Sequence, residues 1–278
     1  MRAATEQVIL VTGATDGLGR AVATELAARG ATLLLHGRDE TRLAGTLDQI
    51  RAETENEKLC TYRADFSSLD EVSEMAERIV RDRDRIDVLV NNAGIGTALP
   101  GDGKRMESSD GHELRFAVNY LAHFLLTRRL VSLIVSSAPA RIVNVSSAGQ
   151  APIDFDDVML ERAYDGVQAY CQSKLAQIML SFDLAEELRD ESVTVNCLHP
   201  ATYMPTKIVL HARGSAISTL EEGVKATLRL ATNAELDGVT GSYFNGLNEG
   251  RAHPQAYDPD ARRRLRELSE RLTGATKR

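Results

Sequence analysis

The sequence predicts a single α/β domain built on a doubly wound parallel sheet flanked by helices. Two observations predict this class. Short runs rich in leucine and β-branched residues alternate with longer segments of helical periodicity, and conspicuous glycine and asparagine motifs begin where predicted strands end. Nearly continuous apolar runs are typical of parallel strands that are covered on both faces. Repeated β-α-β alternation implies right-handed crossovers between parallel strands.

The pattern gives six buried strands and five helices. The predicted strands are Val8–Thr12, Thr32–His36, Leu59–Arg63, Ile86–Val90, Arg141–Val145 and Val193–Leu198. The predicted helices are Leu18–Arg29, Glu40–Glu53, Leu69–Asp82, Gly111–Ser136 and Val167–Leu188. In such a Rossmann-type sheet, ligands bind beyond the carboxyl ends of the strands.

No repeat or long flexible linker divides residues 1–278, so one domain is predicted. Two long irregular connections depart from the alternation: Gly149–Gly166, with three aspartates, and Met204–Ser218 after the sixth strand. Long irregular connections in compact domains are usually functional. The substrate segments are therefore expected near residues 149–166 and 201–218.

The composition argues against a nucleic-acid binder. Lys+Arg 33 and Asp+Glu 40 give a net charge of −7 and a pI near 5.5, whereas polyanion binding needs a basic surface. Arginines do cluster near the C-terminus, interleaved with glutamates, which favours a solvated helix face. These are Arg262, Arg263, Arg264 and Arg266, with Glu267 and Glu270.

Cysteine usage and hydropathy predict a cytoplasmic protein without a membrane span. Cys60, Cys171 and Cys197 are an odd, widely separated set that implies no disulfide framework. The N-terminus lacks a charged-then-apolar signal pattern. The most apolar long stretch, Val118 to Val135, is interrupted by two arginines. The histidines have no metal-ligand spacing, so no metal site is predicted.

A glycine-rich turn predicts the diphosphate site. Gly13, Gly17 and Gly19 lie between the first strand and the first helix, with Thr15, Asp16 and Leu18 among them. Glycine allows a tight turn and close backbone approach, while the helix N-terminus presents free N–H groups. A plain chain-reversing turn is the alternative for this motif alone. For Asp16, a helix N-cap is favoured over ligand contact.

The end of the second strand predicts NADP(H) rather than NAD(H). Gly37 stands where an acid usually binds the ribose hydroxyls, and Arg38 follows it. A guanidinium binds a 2′-phosphate by charge-assisted hydrogen bonds. Asp39 weakens this case, as does Asp16 if its carboxylate faces the same phosphate.

After the third strand, Asp65 and Phe66 are candidates to flank an adenine. For Asp65, the start of the following helix is an equal alternative.

Tyr170 and Lys174 predict the catalytic chemistry. The i and i+4 spacing puts both side chains on one helix face. Hydride transfer to a carbonyl leaves an alkoxide that needs a proton donor, and a nearby ammonium is expected to lower the tyrosine pKa. The pair alone is a weak signal. Three motifs upstream strengthen it: the glycine turn, Asn91–Gly94 and Asn144–Ser147.

In this order the motifs resemble the short-chain dehydrogenase/reductase family, from Val8 to about Pro200, and the segment Ala169–Ala176 resembles its retinol-dehydrogenase-type members. The tail Tyr257–Gly274 is similar to theirs as well. The resemblance implies that Tyr170 is the acid/base and that Lys174 also bonds the nicotinamide ribose.

The resemblance assigns roles to further residues. It implies that Ser147, rather than Ser146, orients the substrate oxygen and that Asn119 holds a water beside the lysine, with helix packing the alternative for Asn119. Asn92, Ala93 and Gly94 resemble the family's backbone-supporting turn beside the adenosine ribose.

The chain departs from the family after the sixth strand. Pro200 matches the family, but Ala201 replaces its usual glycine. The threonine expected to reach the nicotinamide carboxamide is either Thr202 or Thr206.

Loop residues around the expected nicotinamide position predict a medium or large lipophilic substrate, although the same residues would also pack a flap. The candidates are Ile95, Gly96, Gln150, Phe155, Tyr203, Met204, Ile208 and Val209.

The sequence thus predicts an NADP(H)-dependent oxidoreductase acting on carbonyls or alcohols. The alternatives are an NADP(H)-binding sensor or scaffold, and a family member that catalyses a net non-redox step such as epimerisation. A homodimer or homotetramer is possible through helices Gly111–Ser136 and Val167–Leu188, unless Gly149–Gly166 blocks that contact.

Overall fold

A computed structural model of the chain describes residues 2–98, 101 and 104–275. Its centre is one sheet of eight strands in the order β3-β2-β1-β4-β5-β6-β7-β8, parallel except for the last pair. The strands are β1 Val8–Val11, β2 Thr32–Gly37, β3 Leu59–Arg63, β4 Val88–Asn91, β5 Ala140–Val145, β6 Val193–His199, β7 Tyr243–Asn245 and β8 Asn248–Gly250. The predicted doubly wound parallel sheet is confirmed.

Eight helices accompany the strands in the described part of the chain. They are α1 Gly17–Ala28, α2 Glu40–Thr54, α3 Leu69–Asp82, α4 Leu114–Ser136, α5 Gly166–Glu187, α6 Lys207–Arg213, α7 Leu220–Thr232 and α8 Pro259–Thr273. All five helices expected from periodicity are present, most within one residue of their predicted ends. Short 3₁₀ turns lie at Ala4–Glu6, Ala234–Leu236 and Pro254–Tyr257.

Apolar side chains cover both faces of the sheet. On one face Leu10 and Leu34 belong to the core cluster that includes α3, α4 and α5. On the other face the alternating neighbours Ile9 and Leu33 belong to the cluster that includes α1 and α7. Because consecutive strand side chains point to opposite faces, continuous apolar strands are needed to fill both layers.

The strand order reverses between β1 and β4, since β2 lies on one side of β1 and β4 on the other. In open parallel sheets this switch point leaves a crevice beyond the carboxyl ends of the two strands. The segments after β1 and β4 contain the glycine turn and the Asn92–Gly94 motif, so both motifs border this crevice.

Helix α4 begins later than the sequence predicts and contains an irregular turn. Gly111 has a φ of +78°, and Glu113 caps the helix by accepting a hydrogen bond from Phe116 N at 2.7 Å. Residues Ala117–Leu121 form a π-helical turn, a feature frequent at functional sites. By length and composition Leu114–Ser136 could cross a membrane, but 78% of its most apolar window is buried inside the fold, as expected for a core helix.

The largest differences from the predicted elements lie after β6. The segment Met204–Ser218 was expected to be irregular but contains α6, while Gly149–Gly166 is irregular up to the start of α5. Strands β7 and β8 have only three residues each, too few for a periodicity to be recognised. Helix α7 starts at a capping box formed by Thr219 and Glu222.

Helix α8 packs against α4 and α5. Arg266 Nη1 contacts both carboxylate oxygens of Asp183 at 2.7 and 2.8 Å, and the hydroxyls of Tyr120 and Ser269 are 2.7 Å apart. The expected solvated arginine face is therefore only partly correct, because Arg266 and Arg262 pair with acids of α5. This helix packs on α5, one of the two helices through which a dimer was expected.

We expect Leu265→Ala to lower the free energy of unfolding by about 2–4 kcal/mol, because Leu265 on α8 is only 2% exposed and the smaller side chain leaves a cavity. Chemical denaturation measures the change. Leu210→Ala is the matched control, since Leu210 is 44% exposed and its loss should cost about 0.5 kcal/mol or less. Equal stabilities of the two variants would contradict the packing of α8.

Candidate functional site

The glycine turn is packed so closely that two of its positions exclude a side chain. Gly13 has a φ of +66°, and a Cβ placed on it would lie 2.8 Å from Ala93 Cα. A Cβ on Gly19 would lie 2.2 Å from the Gly13 carbonyl oxygen and 2.3 Å from Asn92 Nδ2. The turn is therefore fixed against the β4 loop, with its helix N-terminus directed at the crevice. Leu18 is buried, so only its backbone is available there.

Asn92 and Ala93 bind the end of β1. Both of their backbone N–H groups donate to Thr12 Oγ1, at 2.8 and 3.0 Å. The Asn92 amide nitrogen also donates to the carbonyl oxygens of Thr12 and Gly13, at 2.9 and 3.3 Å. The motif after β4 thus supports the glycine turn, in agreement with its expected place in the site.

The two aspartates that weakened the case for NADP(H) are both engaged by protein groups. Asp16 is the N-cap of α1, accepting from Gly17 N at 2.8 Å, and forms ion pairs with Arg42 at 3.1 Å and Lys207 at 2.6 Å. Burial alone would raise the pKa of Asp16, but the hydrogen bonds from Lys207 and Gly17 and the two cationic charges lower it. Asp39 caps α2 through Arg42 N at 2.8 Å.

The end of β2 presents one cation to solvent. Arg38 is exposed and forms no ion pair with the residues that the structure describes. Gly37 is close to the glycine turn, since an added Cβ would lie 2.5 Å from Thr15 Cγ2. Any side chain at position 37 would therefore collide with the turn.

Of the residues expected to flank an adenine, Phe66 is misassigned. Its ring is buried, stacked on His36 at 4.2 Å and edge-on to His123 at 5.3 Å, so it belongs to the core. Asp65 accepts hydrogen bonds from Ser67 N and Oγ at 2.9 Å. The N-cap of α3 is Ser68, so Asp65 does not start the helix.

Tyr170 and Ser147 meet at the carboxyl end of β5. Tyr170 lies in the first turns of α5, with its hydroxyl close enough to the Ser147 side chain for Ser147 to lower the Tyr170 pKa. Ser146 instead donates to Lys174 O at 2.7 Å. The competitor of Ser147 is therefore turned away from Tyr170. The backbone around Ser147 is held by Tyr243, whose hydroxyl donates to Ser147 O at 3.2 Å.

Asn119 lies in the π-helical turn and clamps the β4 loop. Its Oδ1 accepts from Ile95 N at 2.8 Å, and its Nδ2 donates to Ile95 O at 3.1 Å and to Ser173 Oγ at 3.0 Å. A Cβ on Gly94 would lie 3.1 Å from Asn119 Oδ1 and 3.6 Å from Lys174 Nζ. The backbone of Gly94 therefore lies against both Asn119 and Lys174, and a side chain at position 94 would crowd the Asn119 amide.

The sequence predicted a lowered Tyr170 pKa, but the protein groups around Tyr170 raise it. Burial raises the pKa of Tyr170, and the Ser147 side chain only partly opposes this. Lys174 Nζ is 5.9 Å from the Tyr170 ring centroid and donates instead to Val145 O and Gln177 Oε1. Burial also lowers the pKa of Lys174 to about 7.

The segment after β6 distinguishes the two candidate threonines. The Thr202 hydroxyl lies 3.0 Å from His199 Nε2. Thr206 lies over the glycine turn, since a Cβ on Gly17 would be 3.2 Å from Thr206 Cγ2. Pro200 is buried directly after β6. The geometry therefore favours Thr206 over Thr202 for contact with a dinucleotide in the crevice.

Two of the four main substrate candidates lie elsewhere. Met204 is buried, and its Sδ would be 2.2 Å from a Cβ on Gly223, so it anchors the segment to α7. Phe155 packs under the guanidinium of Arg264 on α8, 4.5 Å from ring centroid to Cζ. The other two candidates lie near the site. Ile95 is hydrogen-bonded to Asn119, and Tyr203 is close enough to Tyr170 to raise the Tyr170 pKa.

The remaining substrate candidates also differ in position, some lying over the site and others supporting it. Ile208 covers Gly96, where an added Cβ would be 2.4 Å from Ile208 Cγ2. Gln150 binds protein groups at both ends of its amide, Ser147 O at 3.1 Å and His253 N at 2.7 Å, so it supports the serine loop. Val209 is half-buried on α6.

Sequence reasoning missed three buried polar residues behind the site. Gln177, His123 and Thr12 form a hydrogen-bonded series from Lys174 to the Asn92 turn. Gln177 and His123 lie on apolar helices outside the recognised motifs, while Thr12 follows β1 at the start of the glycine-rich turn, where no role was assigned to its side chain. They are recognised from the structure, where Gln177 is buried against Lys174 and the other two follow it by hydrogen-bond contacts.

A parallel sheet with this switch point, a glycine turn and a Ser-Tyr-Lys-Asn group beside it is typical of dinucleotide-binding oxidoreductases. The sequence model described as short chain dehydrogenase matches residues 7–213. The chain belongs to the short-chain dehydrogenase family.

Within that family the chain is similar to retinol dehydrogenases. It is 37% identical to mouse retinol dehydrogenase 13 over 96% of this chain and 84% of the relative, and 35% identical to human retinol dehydrogenase 14 over 98% and 87%. The solved complex of Pseudomonas aeruginosa RhlG with NADP has a TM-score of 0.70 and 26% identity, covering 88% of this chain and 97% of that one.

We expect Gly19→Ala to weaken NADPH binding at least about tenfold, because the added Cβ would meet the Gly13 carbonyl and the Asn92 amide, forcing the turn apart at a cost of about 1–3 kcal/mol. Fluorescence titration with NADPH measures the affinity. Gly45→Ala on α2 is the matched control, since its Cβ would have no atom within 4 Å. Unchanged binding by Gly19→Ala would show that the turn does not hold the dinucleotide.

Proposed function

We propose that this protein is a cytoplasmic NADP(H)-dependent oxidoreductase. It transfers hydride between the nicotinamide and the carbonyl or alcohol carbon of a medium or large lipophilic substrate. The observation that carries the proposal is the convergence of Ser147, Tyr170, Lys174 and Asn119 at the carboxyl end of the sheet, beside the glycine turn.

The catalytic roles follow from the positions of these side chains. The nicotinamide supplies the hydride when it is bound. Tyr170 donates a proton to the developing alkoxide, and its raised pKa keeps the phenol protonated for that purpose. Ser147 donates a hydrogen bond to the same substrate oxygen. The Lys174 ammonium, 5.9 Å from the ring centroid, favours the phenolate that Tyr170 leaves behind.

The charges around the end of β2 support NADP(H). Arg38 is exposed and without an ion-pair partner among the described residues, while Asp16 and Asp39 are bound to protein donors. A 2′-phosphate would therefore meet a guanidinium that has no ion-pair partner among the described residues, and the charge of Asp16 is offset by Arg42 and Lys207. The NADP complex of the similar Pseudomonas protein adds to this support.

The exposed side chains of the 201–218 segment support a lipophilic substrate. Tyr203, Ile208, Leu210 and Ile217 are 40–65% exposed, and of these Ile208 lies over Gly96 and Tyr203 lies near Tyr170. The similar retinol dehydrogenases are named for a lipophilic alcohol. The three free cysteines are compatible with a reducing compartment such as the cytoplasm.

The first test is a substrate screen. The purified protein is mixed with NADPH or NADH and a panel of lipophilic ketones, aldehydes and quinones, and the loss of reduced-nicotinamide absorbance is followed. We expect turnover with NADPH well above that with NADH. NADPH binding without turnover on the whole panel would favour a sensor or a non-redox family member.

We expect Tyr170→Phe to lower kcat by about 10²–10⁴-fold, because the proton donor is lost, and to change NADPH affinity less than about twofold. Stopped-flow or steady-state turnover and fluorescence titration measure the two quantities.

Tyr62→Phe is the control for that experiment. The Tyr62 hydroxyl bonds Asp82 and Arg83 at the far edge of the sheet, so its loss should leave turnover unchanged. Substantial turnover by Tyr170→Phe would remove Tyr170 from the acid/base role.

We expect Arg38→Ala to raise the Kd for NADPH about 10–100-fold, because charge-assisted hydrogen bonds to the 2′-phosphate are lost. The Kd for NADH should remain within about twofold. Titrations at fixed ionic strength measure both. Arg81→Ala removes another exposed cation, at the end of α3, and controls for net charge. Equal losses for the two dinucleotides would mean that Arg38 does not read the phosphate.

A further inference from the structure

A buried glutamine binds the ammonium of Lys174 from behind. Gln177 lies three residues after Lys174 on α5, and both are buried. Lys174 Nζ donates to Gln177 Oε1 at 2.8 Å and to Val145 O at 3.0 Å. An ammonium has three donors. The protein thus satisfies two of them and leaves one for the crevice beside Gly94.

The orientation of the Gln177 amide is fixed by Lys174. Because an ammonium only donates, the amide oxygen must face Lys174. The amide nitrogen lies 3.1 Å from His123 Nδ1, which is also 3.0 Å from the Asn119 carbonyl oxygen, and His123 Nε2 is 3.3 Å from Thr12 Oγ1. All three residues behind Lys174 are fully buried. Rotation of the amide would turn its N–H groups toward the ammonium, which cannot accept, so the oxygen is held facing Lys174.

No carboxylate shares this task among the residues that the structure describes. The titratable groups that face Lys174 are Tyr170 on α5 and His123 on α4, with Tyr203 beyond Tyr170 and His36 beyond His123. Burial lowers the pKa of His123 to about 3 and that of His36 to about 4, so both rings are neutral at ordinary pH. Among the described residues the Lys174 ammonium is therefore bound only by neutral acceptors, and Gln177 supplies the single side chain among those acceptors.

We propose that Gln177 is a positioning residue that holds Lys174 charged and directed at the crevice, and that its acceptor strength sets the upper pH limit of turnover. The role in turnover rests on the proposed function. A hydrogen bond accepted from an ammonium stabilises its charged form and so raises the pKa of the lysine. Loss of the acceptor should therefore be visible as a shift of about one pH unit.

Two substitutions of opposite effect test the proposal. Gln177→Met keeps the length of the side chain and removes the acceptor, so Lys174 should lose its proton about one pH unit lower. Gln177→Glu replaces a neutral acceptor by a carboxylate, so Lys174 should keep its proton to a pH about one unit higher. The alkaline limb of kcat/KM should move down in the first variant and up in the second.

Lysine NMR provides a readout that does not depend on turnover. The chain has six lysines, so the ¹³Cε signal of Lys174 in ¹³C-lysine-labelled protein is assigned by its loss in Lys174→Met. Its titration midpoint is followed in the wild type and the two Gln177 variants. Gln172→Met is the matched control: Gln172 is equally buried on α5 but donates to Val158 O at 2.7 Å, so the Lys174 midpoint should stay unchanged.

Shifts of opposite sign in the two Gln177 variants, with none in Gln172→Met, are the expected result. A Lys174 midpoint that is unchanged, or that moves the same way in both variants, would overturn the proposal. If Gln177→Met does not fold, Gln177→Asn shortens the acceptor and should shift the midpoint in the same downward direction. A wild-type protein without turnover would refute the proposed function, while the NMR midpoints would still test the Lys174–Gln177 contact.

Discussion

The side-chain hydroxyl of Thr12 joins the two halves of the site. It accepts hydrogen bonds from two backbone N–H groups of the β4 loop and contacts His123 on α4. Through His123 and Gln177 the same series reaches Lys174 on α5. The glycine turn, the β4 loop and the catalytic helix are thereby held by one buried network. Such networks are stabilising only when every member is satisfied, which ties the geometry of the cofactor half to that of the catalytic half.

The electrostatics of the site follow from burial more than from ion pairs. Tyr170 and Lys174 both have pKa values displaced toward their neutral forms, because burial penalises charge. Lys174 with a pKa of about 7 titrates in the working range of most enzymes. A neutral acceptor such as Gln177 can then change the protonation state of the site, whereas beside an exposed lysine its effect would be screened by water.

The segment after β6 connects the cofactor and substrate sides. Met204 anchors it to α7, Thr206 covers Gly17, and Ile208 covers Gly96. Lys207 pairs with Asp16 at the N-terminus of α1. The same ion pair offsets the charge of Asp16. The position of this segment and the charge at the N-terminus of α1 are therefore coupled through Asp16.

The sequence by itself determined the sheet, the glycine turn and the Tyr170-Lys174 pair, because strand runs, glycine spacing and i, i+4 neighbours are local properties. It could not identify β7 and β8, which are too short to be periodic, or the buried position of Phe66 and Met204. Nor could it show that Gln177 and His123, 54 residues apart, would meet. Tertiary structure decided these points, because the partner that satisfies a buried polar group, or covers an apolar one, lies far away in the chain.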